Sequence, residues 1–147
     1  MRIIIWLVLA GGAGWGGDSV KVWRLNPGRS SFAGDPKPRS LTLRIERHSS
    51  GEVFTVDRTE QDGRSTTDST VLFLDGKPRE YQDLDCNGTQ SSQRVDNRTV
   101  EIRRTCEAGA WMRFIRRMTT GSELLLEVSG RRADGRQVQM RLVLEKQ

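Results

Sequence analysis

The stretch from Glu123 to Lys146 constrains the fold more than any other. Leu124, Leu126 and Val128 alternate with Glu127 and Ser129. After Ala133-Asp134-Gly135 the alternation resumes, with Val138, Met140, Leu142 and Leu144 set against Gln137, Gln139, Arg141 and Glu145. A strict period of two places one face of each strand in a core and the other in water. The Asp-Gly pair between the two runs signals a hairpin, because Gly takes positive φ without steric cost. Seven side chains are therefore expected inside: Leu124, Leu126, Val128, Val138, Met140, Leu142 and Leu144.

The rest of the chain repeats this unit. Leu41, Leu43 and Ile45 form a first clear run, turned at Ser49-Ser50-Gly51. Phe54 and Val56 mark a second, ended by Gln61-Asp62-Gly63, and Ser65 to Leu74 a third, ended by Asp75-Gly76. Lys77 to Leu84 reads as an edge strand or loop. Thr89 to Val95 turns at Asp96-Asn97 into Val100 and Ile102, and Ala108-Gly109-Ala110 leads to Met112, Phe114 and Met118. Val20 and Val22 could begin a strand. Asn26-Pro27 suggests one short helical turn over Pro27 to Ser30, with Asn as cap and Pro at its first position. The expected fold is all-β: an antiparallel up-and-down barrel of about eight to nine short strands in one domain, residues 18–147. Closure is expected because it removes exposed strand edges. Hairpin registers follow from loop lengths. A three-residue loop at Ala108 to Ala110 sets Ile102 opposite Arg116 and Arg104 opposite Phe114. A three-residue loop at Thr120 to Ser122 sets Met118 opposite Leu124. A five-residue loop at Arg131 to Gly135 sets Val128 opposite Val138.

Residues 1–17 read as a signal peptide. Arg2 supplies the charge, Ile3 to Ala10 the apolar segment, and Gly11 to Gly17 is rich in small residues. The alternative is a shortened first strand. The apolar run is too short to span a bilayer, so no stable membrane insertion is expected, and the mature protein belongs in the periplasm or outside the cell. Of 24 basic residues twenty are Arg, and the formal net charge of +5 falls to about +4 when Arg2 leaves with the leader. These charges are scattered among acids. A nucleic-acid groove would need a basic face with stacking aromatics, so no nucleic-acid partner is expected.

Here the chain resembles a known family. Trp23-Arg24-Leu25-Asn26-Pro27-Gly28-Arg29-Ser30-Ser31-Phe32, a Pro-containing crossing and Ser40-Leu41-Thr42-Leu43 look like the opening of a family of small secreted bacterial proteins, mostly without an assigned function, with lipocalin-like (calycin-type) β-barrels. Leu74-Asp75-Gly76-Lys77, Asp96-Asn97-Arg98-Thr99-Val100-Glu101 and Ala133-Asp134-Gly135-Arg136 also look similar. The resemblance covers most of residues 20–147 and implies a fold, not a reaction. The chain departs from lipocalins proper at Lys21, where they carry Gly, and the typical Tyr before Asp75-Gly76 is Leu74.

Chemistry is sparse. Cys86 and Cys106 are the only cysteines, and pairing about Asp96-Asn97 brings them within one residue of register. In an oxidising compartment they should form a structural disulfide. Cys-x-x-Cys redox spacing is absent, and zinc needs more soft ligands than two Cys and one His. No metal or cofactor is expected. His48 falls on a polar phase before a turn, and neither a nucleophile elbow nor a phosphate loop appears, so the chain does not read as an enzyme. Asn87-Gly88-Thr89 and Asn97-Arg98-Thr99 match the glycosylation sequon, in turns exposed in any case.

The informative oddity is Arg on the apolar phase. Arg104 shares a face with Val100 and Ile102, Arg116 with Met112, Phe114 and Met118, and Arg47 continues the Leu41, Leu43, Ile45 face. Arg is almost never fully buried unless paired. Three compensations are open: water at a barrel mouth, an internal Asp or Glu, or the anionic head of a ligand held by planar guanidinium donors. The expected site is a single cavity whose polar end is Arg104 and Arg116, with Ile102, Met112 and Phe114 beside them. The expected partner is a small hydrophobic or amphipathic anionic molecule, and the alternative is a filled barrel serving as an envelope structural or interaction module.

Overall fold

The computed structural model describes residues 20–147, and the expected leader over residues 1–17 lies outside them. The chain is an antiparallel meander of ten strands: β1 (Val20–Leu25), β2 (Ser40–His48), β3 (Gly51–Thr59), β4 (Ser65–Leu72), β5 (Arg79–Gln82), β6 (Asn87–Asp96), β7 (Thr99–Thr105), β8 (Trp111–Thr120), β9 (Glu123–Arg131) and β10 (Gln137–Lys146). They form one curled, barrel-like sheet in the order β4-β3-β2-β1-β10-β9-β8-β7-β6-β5. The described residues hold ten strands, not eight or nine, with Val20–Leu25 and the short Arg79–Gln82 segment both full members of the sheet.

Turn chemistry follows directly from sequence. At Asp62, Asp75, Asp83, Asp96 and Asp134 the carboxylate accepts the backbone N–H two residues on, at 2.7 to 3.0 Å. The Asp side chain thus closes its own turn, and Gly63, Gly76 and Gly135 follow with positive φ. The lead-in is less regular. Pro27–Arg29 makes a single 3-10 turn, but Asn26 does not cap it; its amide instead donates to Glu145 at 3.3 Å. Beyond β1 the chain continues along the same edge of β10: Asn26 N–H donates to the Val143 carbonyl, and Ser31 and Arg141 exchange backbone bonds.

The end strands β4 and β5 do not pair with each other among the described residues, so the expected closure is not formed by the sheet ladder; β4 and the segment after it approach β6 across the curl. Past β4, Leu74 N–H donates to Ser92 Oγ at 2.9 Å and Gly76 N–H to the Ser92 carbonyl at 2.8 Å, while Asp75 bridges Gln93. Lower down, Gln90 Nε2 reaches Thr70 Oγ1 at 3.0 Å. Asp75 holds this crossing in place by accepting two bonds from Arg79, at 2.9 and 2.7 Å. Those bonds hold its carboxyl well below the usual carboxylate range.

The core runs through the middle of the curl. Leu43, Leu72, Ile102 and Leu144 have no solvent exposure, and Val100, Trp23 and Leu124 have almost none. Six of the seven final-hairpin side chains expected inside are buried, and Met140 packs against them partly exposed. Leu125 and Val143, paired across β9 and β10, are buried as well, on the opposite face.

Two registers differ from expectation, each by two residues. The β7–β8 turn spans Cys106 to Ala110, because Cys106 N–H donates to the Ala110 carbonyl around a second 3-10 turn, with Ala108 and Gly109 in the left-handed region. Ile102 therefore faces Phe114, Arg104 faces Met112, and Arg116 faces Val100. In the last hairpin Arg132 N–H donates to Arg136, so Val128 faces Met140 and Leu124 faces Leu144. The β8–β9 pairing sets Met118 opposite Leu124, as expected. An even shift leaves every side chain on its own face, so the core is unaffected while the neighbours of the two arginines change.

Cys86 and Cys106 are disulfide-bonded, with Cα atoms 5.0 Å apart. The bond fastens the end of β7 to the turn between β5 and β6. Thiol titration of the unreduced, unfolded protein should find no reactive thiol. Reduction should lower stability by about 3 kcal/mol in the chain-entropy account, read from urea unfolding with and without reductant. Gly88 lies where β6 meets this corner, and a Cβ there would sit 1.9 Å from the Thr105 carbonyl oxygen. Gly88→Ala should cost roughly 1–3 kcal/mol through the backbone displacement it forces, whereas Gly28→Ala, whose nearest neighbour would be 3.6 Å away, should leave the unfolding midpoint nearly unchanged.

Candidate functional site

Inward-facing positions near the strand ends carry charge, and the packed middle separates them into two cavities. At one end β1, β2, β6, β8 and β10 each direct a cation inward or to the rim: Lys21, Arg47, Arg94, Arg116 and Lys146, joined by Arg98 from the β6–β7 turn. The parity is that of the core, since Lys21 precedes Trp23 by two and Arg116 follows Phe114 by two. The cavity is about 350 Å³ and has an apolar floor that includes Trp23, Val100 and Leu124. Among the described residues its one carboxylate is Glu52 of β3.

Glu52 accepts both bonds from Arg116 Nη2, at 2.8 and 2.9 Å, across the curl from β8 to β3. Arg94 approaches the same carboxylate at 3.6 Å. Arg116 is only 6% exposed. Burial pushes its pKa below the usual arginine value, and Glu52 opposes that shift. Arg116 Nη1 and Trp23 Nε1 are buried donors with no hydrogen-bond partner among the described residues. Lys21, Arg47, Arg98 and Lys146 are exposed and form no salt bridge among the described residues.

At the other end Arg104 lines a cavity of about 380 Å³ with Met112, Phe114 and the disulfide. Here the guanidinium has several neighbours. Its Nε donates to Gln90 at 2.8 Å, Asp83 lies at 3.8 Å, and the rings of Tyr81 and Phe114 flank it at 4.4 and 4.9 Å. Tyr81 donates to Asp83; burial first, then that bond, raises its pKa. Arg104, Arg131 and Arg132 around this cavity are balanced by Asp83, Asp85 and Asp134.

The expected single cavity is thus corrected. Arg104 and Arg116 share a face but face Met112 and Val100, four residues apart along β7 and β8. Phe114 and Met112 stay with Arg104, and Ile102 is a fully buried core residue between the two ends. Of the three compensations considered, an internal carboxylate is present for each arginine: Glu52 for Arg116, and Asp83 with Gln90 for Arg104. Glu52 itself was legible, since it shares parity with Phe54 and Val56. So were Lys21 and Arg94, which share parity with Trp23 and Ser92. What sequence could not show is that six strands and turns bring these cations to one end.

No family model matches this chain, and no curated protein matches it. The fold and site define a barrel-like all-β protein with one strongly basic open end and one charge-balanced end.

Removing Arg116 leaves Glu52 with only the more distant, exposed Arg94. Arg116→Met should cost about 3 kcal/mol or more, the usual penalty for stranding one member of a buried pair. Adding Glu52→Gln to Arg116→Met should recover most of that loss. Urea unfolding of the two variants checks the pair.

Proposed function

We propose that this chain is a secreted, lipocalin-like, non-catalytic binding protein, in the periplasm or outside the cell, that holds a small amphipathic anion at its basic end. The observation that carries this reading is the charge inventory of that cavity among the described residues: six cations and one carboxylate above an apolar floor. Ligand cavities commonly combine apolar lining with a few convergent polar groups, and guanidinium donors suit carboxylate or phosphate oxygens. The Arg104 end is a poorer candidate because its charges cancel and its guanidinium is already partnered. Secretion rests on the leader pattern of residues 1–17 and on the disulfide, which suits an oxidising compartment.

A second reading, a filled barrel acting as an envelope interaction module, draws on the packing of the middle. Leu43, Leu72, Ile102 and Leu144 are fully buried there. A ligand at the basic end would therefore occupy the mouth rather than a deep calyx.

Calorimetric titration with decanoate, below its micelle concentration, tests the first reading. Saturable binding at one site is expected, with no binding of decyltrimethylammonium. Reversing Arg47 and Arg98 to Glu should weaken decanoate by about tenfold or more, since each charge-assisted bond is worth roughly 1.5–3 kcal/mol. No saturable binding of the anion leaves the filled-barrel reading standing.

A further inference from the structure

The basic end has a feature that a carboxylate ligand would not use fully. Its polar groups beyond Glu52 are almost all donors. Two of them, Arg116 Nη1 and Trp23 Nε1, are buried donors without partners among the described residues, on side chains that line the cavity. Such groups are normally satisfied, and water or an acceptor-only ligand would satisfy them. Glu52 neutralises one cation's worth of charge and is engaged with Arg116 and Arg94. Four further cations surround the opening without an acidic partner among the described residues. A monoanion with two oxygens would leave most of this field uncompensated. A tetrahedral dianion offers three terminal oxygens in different directions, which suits donors arriving from opposite walls.

We propose that the head group taken at this end is a phosphate-type dianion, with Arg116 and Trp23 as the inner donors and Arg47, Arg94 and Arg98 as the rim. This deepens the binding reading above and rests on it. Glu52 then has a positioning role. By accepting both bonds from Arg116 Nη2 it turns Nη1 away from itself, so the guanidinium keeps one donor edge unused. Phosphate could arrive on a soluble phosphomonoester or as the head group of an anionic lipid. The chemistry is the same and the two sources separate by experiment.

The test compares decyl phosphate with decanoate at pH 8, where the phosphate is mostly dianionic, at one fixed ionic strength. Decyl phosphate is expected to bind at least tenfold more tightly than decanoate. Lowering the pH to 5, where the monoanion dominates, should erase most of that preference. Arg98→Gln and Arg47→Gln, both exposed and outside the core, should each reduce decyl phosphate affinity several-fold more than decanoate affinity. Arg131→Gln at the opposite end should change neither. Arg116→Lys, which keeps charge but removes the forked donor, should lose the preference; if that variant fails to fold, the two rim variants still decide.

Co-sedimentation with vesicles containing phosphatidic acid separates the sources. Binding to decyl phosphate in solution assigns a soluble ligand. Rim-dependent binding to those vesicles alone assigns a lipid head group, and either outcome supports the phosphate site. Equal affinity for decyl phosphate and decanoate overturns this inference while leaving the amphipathic-anion reading intact. Failure of both alkyl anions and of the vesicles to bind overturns both.

Discussion

Six residues, Val20–Leu25, hold the two halves of the sheet together. β1 pairs with β2 on one side and β10 on the other, so Trp23 faces Leu43 and Lys146 at once. Without it the meander would divide into β2–β4 and β5–β10, each with two open edges. Open edges are sites for unwanted pairing. Trp23 also places a large ring in the centre of the core, where it is 2% exposed. The apolar middle and the common inward parity of both halves depend on this one strand being shared.

Parity then produces charge at the ends. A curled sheet has inward positions along its whole strand length, but only the middle is remote from water. The inward row of β8 reads Met112, Phe114, Arg116 and Met118, and that of β7 reads Val100, Ile102 and Arg104. The aliphatic positions meet in the centre. The arginines fall toward opposite ends, where each reaches a carboxylate on another strand or turn. Taking two charges out of water is costly, and a buried ion pair seldom exceeds that cost in net stability. What the Arg116–Glu52 pair does supply is a fixed connection between β8 and β3, on opposite walls of the curl.

Much of this was legible in sequence, and the limit is physical. Alternation identified the inward faces, and four of the five Asp-led turns announced themselves by the chemistry that closes them; the turn at Asp83 did not. The unusual phase of Arg104, Arg116 and Arg47 correctly marked inward-facing charge. Loop geometry was the weak point. Whether Cys106 belongs to the strand or to the turn depends on a disulfide and a 3-10 turn that no periodicity encodes. That single ambiguity moved Arg104 and Arg116 from neighbours to opposite ends. Glu52, Lys21 and Arg94 were readable one strand at a time, but their convergence depends on curvature and strand order, which arise from pairings between distant segments.

The sharing of β1 also bears on how the chain acquires its structure. Asn26 and Glu145, joined by a side-chain hydrogen bond, are 119 residues apart in sequence. Among the described residues, the most N-terminal strand thus completes its pairing only with the most C-terminal one. Hairpins such as β2–β3 and β9–β10 close locally and early, whereas the β1–β10 seam must bring the ends of the domain together against loop-closure entropy. Folding dominated by such non-local pairing is slow. Until that seam forms, β1 presents an unpaired edge, and such edges are sites for unwanted pairing.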